Sequence, residues 1–492
     1  MEIQFQKKAI GYLQTLLRQQ QKQEQTQQIR LSDAMPDIGR VLGCWGQILI
    51  RGKEWHGGSV GVSGGVMAWV LYQPEGDGEP CCADAWIPFQ MKWDIDETDR
   101  DGIMEVQATL CHMDARMLSD RKLMVRANIG VQMHAMVQTD AVQYTPGEIP
   151  AELEVLQQTY PVMLPVEAGE KLFDIEQQLE IPPDGARVHK IIHFSARPML
   201  TEYKIVADKL VLRGSSELYV LYMDEFGKIH RRTWQMPFSQ YTQLDGEYSP
   251  ETEVESCFAL TQLEIELTQP DALVAKVGFA MQYTVLLEQD VTVAQDMYSI
   301  TREVKAEEEQ LRLPAVLQRK TQNVRAEISG PEGRILDVII HLEAPKIMRN
   351  QDDVNAELEG IFQVLYEDPE GNLQTTVERW QKNLPTKVAE DAEYQVSLAA
   401  SANMGNEMGI GFDLQWDEKV ISNSPIQMIT GGDMGESVAL NPLRPSIILR
   451  RAGTDSLWEI ARSTGSTMDA IRKANNLQQE PEKDQMLLIP VS

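Results

Sequence analysis

Val220-Leu221-Tyr222-Met223-Asp224-Glu225-Phe226-Gly227 reads as an apolar strand running into a tight turn. Val and Tyr suit a pleated, half-buried surface, and Asp and Gly supply the geometry of a β-turn. The stretch is not alone. Val70-Leu71-Tyr72 leads into Gln73-Pro74-Glu75-Gly76, and Val364-Leu365-Tyr366 leads into Glu367-Asp368-Pro369-Glu370-Gly371. The three copies are spaced 150 and then 144 residues apart. A tryptophan returns after each turn, at Trp86, Trp234 and Trp380, and a proline after that, at Pro88, Pro237 and Pro385.

The repeat extends outward in both directions. Upstream, Met35-Pro36-Asp37-Ile38-Gly39-Arg40-Val41 parallels Pro182-Pro183-Asp184-Gly185-Ala186-Arg187-Val188, with Gly330-Pro331-Glu332-Gly333-Arg334-Ile335 in the third copy. Downstream, Lys122-Leu123-Met124-Val125-Arg126-Ala127 parallels Ala272-Leu273-Val274-Ala275-Lys276-Val277. Short apolar or alternating runs bounded by turn residues are strand punctuation. The period is far longer than a solenoid unit, so three tandem β-sandwich-like units are expected. Their boundaries fall at 1–138, 139–288 and 289–432, with a linker over 433–444. The Gln-rich run Gln19 to Arg30 is open to two readings. Propensity favours helix, but the repeat aligns Gln28-Ile29-Arg30-Leu31 with Gln178-Leu179-Glu180-Ile181, which favours a strand. Tyr12 to Leu17 fits either a helix or a first strand.

The last 48 residues, Pro445 to Ser492, change character. Ser446-Ile447-Ile448-Leu449 reads as a strand. Asp455 or Ser456 can cap a helix whose apolar face is Leu457, Ile460 and Ala461. Ser466 or Thr467 can cap a second, with Met468, Ile471 and Ala474 on its face. Met486 to Ile489 forms a closing strand, stopped by Pro490. The order is βααβ, with two helices covering a two-stranded sheet. This segment resembles the LysM family. The resemblance implies a shallow groove for N-acetylglucosamine polymers between two loops, formed here by Thr454, Asp455, Ser456 and Leu457 and by Asn475, Asn476 and Leu477. Two departures stand out: Thr454-Asp455-Ser456-Leu457 replaces the usual Gly-Asp-Thr-Leu, and Lys483-Asp484-Gln485 the usual Pro-Gly-Gln. Asp484 is a residue that tolerates a left-handed turn.

Three β units followed by this module resemble the SPOCS-domain proteins of spore-forming Firmicutes. The likeness is carried by residues 36–42, the three Val-Leu-Tyr turns, the Pro88-Phe89 and Pro237-Phe238 pairs and the C-terminal module. It implies a SipL-type role in spore coat morphogenesis at the forespore surface, in the mother-cell cytoplasm. The implied partners are coat morphogenetic proteins such as a basement-layer ATPase. Peptidoglycan bound by the LysM module is the alternative.

Composition narrows the remaining classes. The chain has 492 residues and a net charge of −29, with 42% hydrophobic residues. Residues 445–492 hold six basic and six acidic side chains, so the body carries the whole excess. Such a body disfavours nucleic acid and anionic membrane surfaces. No run approaches the ~20 apolar residues of a membrane span, and Met1 to Lys8 lacks the pattern of a secretory signal. The five cysteines (Cys44, Cys81, Cys82, Cys111, Cys257) show no metal spacing and read as reduced thiols. His189 and His193 lie four apart on a strand and are expected to be partly exposed. The glycines at 57, 58, 61, 64 and 65 lack a phosphate cradle's Lys-Ser/Thr. Cys111 and His112 point to opposite strand faces. Neither a catalytic set, a metal nor a cofactor is expected, and the repeated tryptophans are expected to fill sandwich cores.

Overall fold

The computed structural model describes residues 2–76, 78–97, 99–181, 186–343, 345–350, 353–387, 392–403, 409–438 and 444–491. Pro182 to Gly185 of the upstream motif and residues 439–443 of the expected linker lie outside them.

The chain is mainly β. It starts with β1 (Glu2–Ile3), β2 (Phe5–Arg30), β3 (Ile38–His56), β4 (Ser59–Pro74), β5 (Cys81–Asp94), β6 (Ile103–Ser119) and β7 (Lys122–Pro146). β2 to β7 build two antiparallel sheets, β2-β7-β6 and β3-β4-β5. The pattern returns with β8 (Leu153–Glu180), β9 (Lys190–Val206), β10 (Lys209–Met223), β11 (Ile229–Gln243), β12 (Glu253–Gln269) and β13 (Ala272–Ser299). Here the sheets are β8-β13-β12 and β9-β10-β11.

After β14 (Arg302–Leu311) it returns again, with β15 (Ala315–Ser329), β16 (Arg334–Leu342), β17 (Lys346–Arg349), β18 (Val354–Glu367), β19 (Leu373–Thr386), β20 (Ala392–Asn403) and β21 (Gly409–Ser422). The sheet β15-β21-β20 matches its counterparts, and β16 and β17 share the place of one strand beside β18 and β19. In every unit the first strand pairs with the last, and the Val-Leu-Tyr strand is central in its sheet. β22 (Ile426–Ser437) follows.

Strand alternation explains why the tripeptide repeats. Val70 and Tyr72 point into the core of the first unit, and Val220 and Tyr222 into that of the second. The leucine between them points the other way. Leu71, Leu221 and Leu365 meet in one buried cluster at the junction of the units, joined by Leu42, Ile192 and Leu336. Each such leucine contributes about 1.5–3 kcal/mol by leaving water. The tyrosine hydroxyls also repeat: Tyr72 donates to the Pro36 carbonyl at 3.1 Å, and Tyr222 to the Ala186 carbonyl at 3.1 Å.

The ambiguous first thirty residues are strand. β2 pairs with β7 along its whole length, with one bulge between Thr15 and Leu17. Gln23, Gln25, Gln27 and Ile29 are half-buried while Lys22, Glu24, Thr26 and Gln28 are exposed, a period of two. Pairing with a buried neighbour strand overrides the helix propensity of glutamine.

Long strands add a second layer. The outer ends of β2 and β7, those of β8 and β13, and β14 with β22 form three two-stranded ribbons. Ile10, Val162, Leu164, Val291, Val293, Leu311, Ile426 and Met428 make their shared core. β7 and β13 therefore run unbroken across 138/139 and 288/289. β1 extends the last of these ribbons by pairing with β22, Ile3 opposite Gly432.

Two expectations for side chains fail. His193 is not partly exposed. It is 5% exposed, stacked on Trp45 at 4.9 Å, and its Nε2 lies 3.5 Å from Asp337 of the third unit; His189 alone faces solvent. Trp86 does not fill a core. It is 39% exposed, whereas Trp234 and Trp380 are half-buried against the second and third cores. An aromatic on the outer face of β5 has no facing sheet to cover it fully.

Candidate binding groove of the C-terminal module

β23 (Ile447–Arg451), α1 (Leu457–Thr464), α2 (Met468–Asn475) and β24 (Met486–Pro490) make the βααβ end. Ser456 is the cap of α1: its Oγ accepts the Glu459 N–H at 3.2 Å, and Glu459 Oε2 accepts the Ser456 N–H at 2.7 Å. This reciprocal capping box fixes the loop's exit angle. The Ser456 N–H and hydroxyl hold the Glu459 carboxyl below its ordinary range. Thr467 caps α2, accepting the Ala470 N–H at 3.0 Å. Leu457, Ile460, Ala461 and Ile471 are buried as their spacing predicts. Ala474 is exposed instead. One position further on, Asn475 is the residue turned inward, because four residues from Ile471 return closest to the same face.

The predicted groove residues divide into two kinds. Thr454, Asp455 and Ser456 stand exposed on the first loop, with Asp455 paired to Arg450. Asn476 stands exposed on the second, in a left-handed conformation (φ 53°) that ends α2. Leu457, in contrast, is fully buried, and Leu477 packs against the module's core. Asn475 is committed to structure: its amide donates to the Leu488 carbonyl at 2.7 Å and accepts the Leu488 N–H at 2.7 Å. The structure thus brings the two loops to one end of the module but leaves only some of the named side chains free to touch a ligand.

Glu480 was missed by sequence reasoning, and for Asp484 only the turn was anticipated. Glu480, on the second loop, accepts the Leu457 N–H at 2.8 Å and so ties it to the first. Asp484 adopts φ 68° in the place where the family has glycine, and its N–H donates to the Ala452 carbonyl at 2.8 Å. Its turn chemistry was legible, its bond to the opposite strand was not. Gly453 has open space around its missing side chain, so the displaced glycine meets no packing need there.

The module is seated on the second unit. Asp296 of β13 accepts the Trp458 indole N–H at 2.7 Å and an Arg462 N–H at 2.5 Å. Tyr298 packs edge-on against Trp458 at 4.8 Å and donates to the Ser466 carbonyl at 2.8 Å. Burial pushes the Tyr298 hydroxyl pKa up. The seat uses α1 and the turn after it, and Thr454, Asp455 and Asn476 remain exposed.

Residues 187–268 match the family model described as SipL, SPOCS domain, and residues 454–490 match that of the LysM domain. No curated protein and no solved structure matches the chain. The chain carries a SPOCS domain and a C-terminal LysM domain, and the matched SPOCS segment lies in the second of the repeated β units. SPOCS and LysM are non-catalytic binding domains, and sporulation is what the SipL match implies. Among the described residues no helix is long and apolar enough to cross a membrane.

Proposed function

We propose that this chain is a non-enzymatic assembly protein of the spore envelope. In this reading it works at the forespore surface in the mother cell, docking coat morphogenetic proteins of the basement-layer ATPase type. The observation that carries it is the seat of the LysM module. A module fixed by Asp296 and Tyr298 to a three-unit β body presents its loops in one orientation, which suits a scaffold better than a tethered sugar-binding module. The body's charge of −29 favours a basic face on the partner, so association weakens as salt rises.

The second reading is peptidoglycan binding through the LysM groove, favoured by the exposure of Thr454, Asp455 and Asn476 on adjoining loops. Titration of the full chain with the coat ATPase and, separately, with purified peptidoglycan fragments decides between them. The assembly reading expects micromolar or tighter protein binding that Asp455→Arg weakens, with no saturable sugar binding. Sugar binding lost in Asn476→Ala, without protein binding, replaces it with wall attachment.

A further inference from the structure

Two sequence features play no part in the assembly reading: the Gln-rich run of β2 and the first of the repeated tryptophans. The fold places them side by side. The Trp86 indole lies against Gly65, where an added Cβ would stand 2.2 Å from its ring. Only glycine lets the ring lie so close to the sheet. The Arg51 guanidinium sits 5.4 Å from the ring centroid and is itself held by the Thr261 carbonyl at 2.9 Å. The indole is therefore preorganised, yet remains 39% exposed.

Beside it runs an open groove of about 520 Å³, lined by Gln23 and Gln25 of β2 and by Ser63 and Gln90. Gln23 is half-buried, and its Oε1, which has no hydrogen-bond partner among the described residues, is closed to solvent, whereas Gln25 is half-buried and Gln90 exposed along the groove. The counterparts of Trp86 are used otherwise: Trp234 gives its N–H to the Glu180 carbonyl, and Trp380 packs edge-on against Phe412.

The chemistry of this groove selects a ligand class. A pyranose ring offers polarised C–H bonds on its face and hydroxyls around its rim. The negative face of an indole attracts the first. Carboxamides, which both donate and accept, match the second. A peptide-docking groove would need a larger apolar lining, and a phosphate-binding one more cations than Arg51 alone. We propose that the Trp86 groove binds a β-linked pyranose polysaccharide, with the sugar stacked on the exposed part of the indole and its hydroxyls bonded to Gln25 and Gln90. The site lies on the first β unit and is separate from the LysM loops.

The test labels the full chain with 5-fluorotryptophan, giving nine fluorine resonances that single Trp→Phe substitutions assign. Cellohexaose probes a hydroxyl-only chain and chitohexaose one bearing acetamido groups. A saturable shift of the Trp86 resonance with either sugar is expected. Combining Gln25→Ala with Gln90→Ala should then weaken binding about five-fold or more, the loss of one to two hydrogen bonds, at unchanged Tm. Movement of the Trp458 resonance alone would place all sugar binding in the LysM module and overturn the proposal. So would a Trp86 resonance that neither sugar moves, leaving the exposed indole to a protein contact.

Discussion

Asp337 shows how much one residue can hold. It is 3% exposed, and it accepts the Trp45 indole N–H of the first unit at 2.8 Å and the Tyr219 hydroxyl of the second. Burial raises the pKa of such a carboxyl, but His193, Tyr219 and Trp45 together outweigh it and hold Asp337 below its ordinary value. Asp337→Ala would leave the Trp45 and Tyr219 donors without their acceptor, a loss of about 3–5 kcal/mol that urea denaturation will read. His341 makes the complementary case. Its ring donates to the Leu110 carbonyl at 3.2 Å. Burial, opposed by that bond and aided by His112, lowers its pKa from 6.5 to about 4. The unfolded chain therefore takes up a proton near pH 6.5 that the folded chain refuses until about pH 4. Stability is full above that window and falls as pH drops through it, by about 3 kcal/mol at its lower end. His341→Gln is expected to flatten the stability–pH curve between pH 6.5 and 4, and an unchanged slope would contradict this. None of these roles was legible in the sequence: His193 and Asp337 are 144 residues apart and meet only when the units close.

At the scale of elements, the amide side chains act as spare backbone. Gln282 of β13 accepts the Val106 N–H at 2.7 Å and donates to the Val106 carbonyl at 2.9 Å, so one side chain extends a strand of the neighbouring unit. Asn475 does the same for Leu488 within the LysM module. Removing either leaves buried backbone groups unpaired at about 1–3 kcal/mol each. Gln282→Ala should lower the body's denaturation midpoint without touching the module. Asn475→Ala should melt the module, seen as loss of its helical amide protection in hydrogen exchange, and leave the body intact. A variant with native protection and lost ligand binding would instead make Asn475 a contact residue. The elements themselves were largely readable. Val-Leu-Tyr with its turn repeats because each residue serves the same face in each unit, and the two helix caps follow from local chemistry at Ser456 and Thr467. The ribbon layer was not readable, because β7 and β13 turn polar at Gln138-Thr139-Asp140 and Glu288-Gln289-Asp290, which looks like a boundary, and yet continue as strand. The Gln-rich half of β2 carried the wrong local signal, since its partner strand, not its own propensity, decides its conformation. In the groove, Thr454, Asp455, Ser456 and Asn476 are exposed on the two loops, while the burial of Leu457 and the structural bonds of Asn475 were not readable. The bridging carboxylate of Glu480 had no sequence signal, as an acidic residue in a solvated loop looks the same whether or not it caps a helix.

For the whole molecule the decisive question is whether body and module move as one. Four contacts argue that they do: two bonds to Asp296, the Tyr298–Trp458 packing, and the Tyr298 hydroxyl on the Ser466 carbonyl. Opposing them is a like-charge approach. Glu154, at the start of β8, has its pKa raised by burial and then by Asp469 of α2. Replacing Asp296 by Ala removes the acceptor of both the indole and the guanidinium, while the apolar contact of Tyr298 survives. A charged hydrogen bond to a half-buried acceptor is worth about 1.5–3 kcal/mol, enough to turn a held module into a partly released one. Small-angle scattering should then show a larger maximum dimension for Asp296→Ala. Amide relaxation of residues 447–490 should report tumbling faster than that of the body. Glu154→Gln should act in the opposite sense and tighten the seat. If the module of the unmodified chain already tumbles freely, orientation cannot be what the β body contributes, and the scaffold reading loses its principal support.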